Sequence, residues 1–171
     1  MIIITELLSS GHVNYEYMQE GNVALQTFAI VNHIPHTLNM QYNVNYTDIF
    51  PALVIPQMFS PTSWFSPFGR AVEMSKEFNE HYVEDCKGKF MPIKTREDLE
   101  EFLEKRKQPN GKTVVSGLLS TEGATILESK LENVQKLYDM GVRMFGTNHF
   151  TDNSVCCCCC CCECCCCNFI V

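Results

Sequence analysis

Thr113 to Leu119 (TVVSGLL) is a short continuous run of mainly apolar residues that reads as a strand, and Val142 to Gly146 (VRMFG), with Arg143 inside it, is a second one. Between them, from about Glu128 to Met140, Leu131, Val134, Leu137 and Tyr138 recur at helical spacing, and Gly141 follows as a left-handed stop. Strand, helix and strand in so short a stretch form a βαβ unit, which makes the two strands parallel and the crossover right-handed. Parallel strands need cover on both faces, so the fold class is α/β. In such folds reactive groups gather at the carboxyl ends of the strands. Glu122 stands just past the first of these strands and His149 just past the second. His12 stands at the end of a further short stretch, Leu7 to Val13.

Elsewhere the pattern is plainer. Val23 to Val31 (VALQTFAIV) reads as a buried strand. Asn32 to Ser66 reads as loop, broken by Pro35, Pro51, Pro56 and Pro61, with room for a short helix between Thr47 and Met58. Pro67 opens a helix to about Tyr82, with Phe68, Val72, Ser75 and Phe78 along one face. Thr95-Arg96-Glu97-Asp98 resembles a capping box ahead of Leu99, Phe102 and Leu103. Arg143 reads as a partner for a nearby acid, and Trp64 as loop packing. His33, His36 and His81 carry no assignment.

Charge and cysteine usage limit the partners. A formal charge of −7 is poorly suited to a phosphate backbone, which argues against nucleic acid. No apolar run approaches the roughly 20 residues a membrane helix requires. Eleven of the twelve cysteines lie within 156–167, leaving Cys86 alone in the preceding 155 residues, the usage expected of a reducing, cytoplasmic compartment. The chain therefore divides into a globular region, 1–155, and a low-complexity tail, 156–171, expected to be unfolded. Contiguous cysteines cannot converge as the C-x₂₋₄-C spacing of structural zinc sites does. The tail reads better as a repeat expansion or a misassembled continuation than as a thiolate metal buffer.

The segment Gly117-Leu-Leu-Ser-Thr-Glu122-Gly-Ala, followed by Leu131-Glu-Asn-Val-Gln-Lys-Leu-Tyr138-Asp-Met-Gly-Val-Arg-Met-Phe-Gly146-Thr-Asn-His149, resembles the membrane (renal-type) dipeptidases, the bacterial branch most closely. Gly11-His12-Val13-Asn14 and Glu20-Gly21-Asn22-Val23-Ala24-Leu25-Gln26 extend the likeness over most of 7–155. That resemblance implies a zinc-dependent dipeptidase on a metal-dependent-hydrolase-type (β/α)₈ TIM barrel, of which this chain would be the N-terminal half, incomplete. It implies a metal position at His12, with Asn14 standing where the family has a ligand Asp, and Glu122 as the catalytic carboxylate bridging two zinc ions. It implies His149 as a substrate-binding residue and a dipeptide as the substrate. Thr125 stands where many relatives carry a His.

The family mechanism needs two metals about 4 Å apart, with their hydroxide and a full ligand set. An amide oxygen is a weaker zinc donor than a carboxylate, so Asn14 weakens the first position, and the chain alone is expected to be inactive. The alternatives are a non-catalytic α/β binding or assembly module and, further off, a thiol-rich metal-binding protein. A half barrel would leave one sheet edge and an apolar face uncovered, favouring a homo-oligomer or aggregation.

Overall fold

The computed structural model describes residues 13–38, 43–84, 86, 88–155 and 168–170. The expected strand at Leu7 to Val13, with His12, lies outside these residues except for Val13. The elements in chain order are α1 (Tyr15–Glu20), β1 (Leu25–Val31), α2 (Phe50–Val54), α3 (Pro61–Trp64), α4 (Pro67–Glu77), β2 (Phe90–Pro92), α5 (Arg96–Arg106), β3 (Val115–Glu122), α6 (Glu132–Asp139), β4 (Val142–Gly146) and β5 (Asn168–Ile170). The strand order is β1-β3-β4-β5, with β2 also on β3. This is an α/β fold with parallel strands, β5 excepted. None of the helices among the described residues is long and apolar enough to cross a membrane.

The contacts divide the chain into two units. In the first, residues 1–28 and 74–119, β2 pairs in parallel with the start of β3, Phe90 opposite Val115 and Pro92 opposite Gly117. Ser116 N–H donates to Ala24 O at 2.9 Å beside β1. Phe28, Phe78, Tyr82 and Phe90 pack into one aromatic cluster, with ring centroids 4.7 to 5.8 Å apart. A side chain on Gly117 would collide with this cluster, since its Cβ would fall 2.2 Å from Phe90 Cζ and 2.9 Å from Phe28 Cε2. Beyond Glu77 the helix widens into a π-helical stretch, Phe78–Glu84. The capping box on α5 is complete: Thr95 Oγ1 accepts from Asp98 N–H and Asp98 Oδ2 from Thr95 N–H.

In the second unit, residues 29–73 and 120–171, the exits of β3 and β4 are stitched in step. Gly123 N–H donates to Gly146 O at 3.0 Å and Ala124 N–H to Thr147 O at 3.1 Å. β5 pairs antiparallel with β4, Met144 opposite Ile170 and Gly146 opposite Asn168. β4 therefore has β3 on one side and this antiparallel strand on the other. Arg70, 1% exposed, is the polar centre of this unit. It donates to Ser63 O, Asn32 O and Trp64 O, and pairs with Asp48 at 2.6 Å. Its guanidinium lies 4.9 Å from the centre of the Phe50 ring.

Several details depart from the sequence pattern. Val72 is exposed, and the buried positions around it are Ala71, Met74, Ser75 and Phe78. Leu131, which precedes α6, and Tyr138, which lies within it, are exposed too, and the helix turns Asn133 and Leu137 inward instead. Asn133 Nδ2 donates to Leu127 O at 3.1 Å, which orients that face. Tyr138 lies under the Arg143 guanidinium at 3.7 Å, and Arg143 donates to Tyr138 O and Val142 O. Helix α3 and strand β2 are elements the sequence pattern did not mark.

Candidate active site at the ends of β3 and β4

Glu122 is the last residue of β3, and His149 follows β4 by three residues. The turn that follows β3 is tight. Gly123 sits at φ +91°, and a Cβ there would approach His149 Cβ to 3.3 Å. With no side chain in the way, His149 Nε2 reaches Glu122 Oε2 at 3.0 Å. A carboxylate oxygen accepts, so Nε2 carries the hydrogen. The imidazole packs against Phe150, the two rings tilted by 37° with centroids 3.6 Å apart. Asn148 Oδ1 accepts from His149 N–H at 2.7 Å.

The pocket holding this pair is lined also by Asn32, His33, Thr125 and Thr151. Asn32, fully buried just past β1, donates from Nδ2 to Glu122 O at 3.0 Å and to Gly123 O at 3.3 Å. Asn32 and His33 were missed in the sequence. The signal that flags Glu122 and His149, a polar residue directly after a parallel strand, applies equally to them.

Burial pushes the His149 pKa below its ordinary value, and nearby His33 adds to that, while the Glu122 carboxylate opposes both. In the unfolded chain the same imidazole takes its proton near pH 6.5. Between the lower folded value and about 6.5 the unfolded state therefore holds more protons, and stability rises with pH. Urea midpoints measured from about pH 7.5 down to about 5.5 should fall as the pH passes below 6.5. His149→Gln should flatten that part of the curve. An unchanged slope would place the pH sensitivity elsewhere.

The other two residues singled out do not join this pair. His12 lies outside the described residues. Asn14 is the N-cap of α1, its Oδ1 accepting from Tyr17 N–H at 2.8 Å. Among the described residues no three His, Cys, Asp or Glu side chains are arranged to hold a metal ion. The described donors do not by themselves fit the zinc centre that the resemblance implies. Next to the pocket, and sharing Thr125 and Thr151 with it, lies a cleft of about 190 Å³ bordered by Glu128, Asp152 and Asn153.

The sequence pattern of the membrane dipeptidases, peptidase family M19, matches residues 4–160. No curated protein matches the chain significantly. Among solved structures it is similar to a metallo peptidase of family M19 described as dipeptidase AC, at 19% identity and a TM-score of 0.55, over 85% of this chain and 38% of that one. It is similar also to a metallo peptidase from Rhodobacter sphaeroides, solved with a phosphinate mimic of the dipeptide L-Ala-D-Ala. There the identity is 19% and the TM-score 0.54, over 85% of this chain and 39% of that one. The chain spans about two-fifths of the length of these relatives.

Proposed function

Because the chain belongs to the membrane dipeptidase family, we propose that it supplies the β3–β4 part of a zinc-dependent dipeptidase site, with Glu122 as metal-bridging carboxylate and His149 as substrate-holding imidazole. The observation that carries this reading is the 3.0 Å contact between these side chains at the exits of neighbouring strands. His12 is the further ligand in this reading, and Asn14 the weakened one. Bound zinc would contribute Lewis acidity and an activated water.

The chain's own residues do the rest. Glu122 accepts the Nε2 hydrogen and so fixes the imidazole ring, and the pair offers a dipeptide one carboxylate and one imidazole edge. Hydrolysis needs ligands that these described residues do not supply, so the chain alone is inactive in this reading. A cytoplasmic setting fits its cysteine usage outside the tail.

Zinc calorimetry tests the reading, using the full chain with its tail cysteines replaced by Ser. His12→Ala and Glu122→Ala should each weaken binding by at least the roughly 10-fold that even an outer-sphere partner commands. Asn14→Asp should tighten it, because it adds a full negative charge beside a divalent ion. Affinity indifferent to all three would remove the metal-site reading. L-Ala-D-Ala, whose mimic occupies one relative, is the first substrate to try. Turnover by the unmodified chain would overturn the inactivity.

A further inference from the structure

Asn32 is fully buried, yet only one side of its amide is used. Nδ2 donates to two carbonyls, Glu122 O at 3.0 Å and Gly123 O at 3.3 Å, 90 and 91 residues away in sequence. Because both partners can only accept, the nitrogen must face them, and the orientation of the amide is settled. That leaves Oδ1 buried without a hydrogen-bond partner among the described residues. An acceptor stranded in this way bears its full desolvation cost, which an apolar side chain of the same size would avoid. What the amide provides in return is its two N–H donors. β1 ends at Val31, and the side chain of Asn32 continues its bonding to the β3 exit after the strand has turned away. Its backbone is held as well, since Asn32 O accepts from buried Arg70 at 2.6 Å.

We propose that Asn32 is the positioning residue of the Glu122–His149 pair, fixing the Glu122–Gly123 backbone so that the carboxylate meets the imidazole. The significance for catalysis rests on the dipeptidase reading of that pair, but the geometry does not. Gly123 needs such a clamp. Its positive φ and lack of Cβ allow the close approach to His149, and while Gly123 N–H is held by Gly146 O, the two bonds from Asn32 hold the carbonyl side of the same turn. Asn32 touches neither reacting side chain through its own hydrogen bonds and acts through the backbone between them.

The test is the nitrogen NMR signature of His149 in the full chain, with no metal and no substrate added. The wild type should show one tautomer, with the hydrogen on Nε2 and slow exchange of that proton. Glu122→Gln calibrates the signature of an altered pair. Asn32→Leu keeps the branching, with bulkier methyl groups, and removes both donors, and Asn32→Asp keeps the shape and turns carboxylate oxygens on the two carbonyls. Both should give mixed tautomers and at least tenfold faster exchange. Leu137→Ala, a buried substitution in the same unit with no bond to either carbonyl, is the control for lost stability and should leave the signature intact. If the Asn32 variants do not fold, the milder Asn32→Ser is read against Leu137→Ala in the same way. A wild-type signature in a folded Asn32 variant, or an equal change in Leu137→Ala, overturns the proposal. Zinc calorimetry can fail while this signature responds, so the two readings fail separately.

Discussion

Arg70→Met is expected to lower the unfolding free energy by about 3–5 kcal/mol, the range for breaking one side of a buried ion pair. Four acceptors converge on this guanidinium: the Asp48 carboxylate and the carbonyls of Asn32, Ser63 and Trp64. Methionine fills much of the volume but satisfies none of them. The loss is a large share of the roughly 5–15 kcal/mol by which a domain is usually stable. Arg70→Lys should rescue little, because one ammonium cannot span the fork of bonds. Adding Asp48→Leu to Arg70→Met should recover part of the loss by removing the stranded carboxylate. Urea denaturation followed by circular dichroism reads all three. A cost for Arg70→Met below about 1 kcal/mol would reduce the cluster to the value of an exposed pair.

Gly117→Ala is expected to be nearly as damaging, at about 3 kcal/mol, the upper end for overpacking a core. The added methyl group would stand 2.2 Å from Phe90 Cζ and 2.9 Å from Phe28 Cε2, inside contact distance for both rings. Neither ring can swing away freely, because each also packs on Phe78 and Tyr82. Phe90→Leu removes the nearest offending atom. The double variant Gly117→Ala with Phe90→Leu should therefore be more stable than the sum of the single effects requires. Thermal midpoints of the four proteins measure that coupling. Strict additivity would show that the methyl group is accommodated by backbone movement instead.

The sequence was informative where one rule could be applied locally. Apolar runs flanking a helical pattern gave the βαβ unit, and a polar residue at each strand exit picked out Glu122 and His149. The same rule at the end of β1 points to Asn32 and His33, but the prolines that follow draw the eye to a loop. β2 is three residues long and ends in Pro92, so it has no period to detect. β5 follows directly on the cysteine run and is equally short. The burial of Arg70 has no sequence signal at all. Its partners come from three separate places, Asn32 past β1, Asp48 ahead of α2, and Ser63 and Trp64 in α3, and an arginine in an amphipathic helix is ordinarily read as solvated. Leu131 and Tyr138 failed for a different reason: a helix does form there, but it starts at Glu132 and turns Asn133 and Leu137 inward, so Leu131 falls outside it and Tyr138 off its buried face.

Each compact unit is woven from two stretches of chain far apart in sequence, and this has a kinetic consequence. The Asn32–Glu122 bond closes a loop of 90 residues, and Ser116–Ala24 one of 92. Closing a loop of that size costs roughly 4 kcal/mol of chain entropy before any contact repays it. Refolding should accordingly be slow, on the order of milliseconds to seconds, as for other folds dominated by distant pairings. On a ribosome, Asn32 emerges long before its partner carbonyls exist. The pocket therefore forms only after β3 has been synthesised and has found β1. The early strand waits, exposed along one edge, for the segment that will complete it.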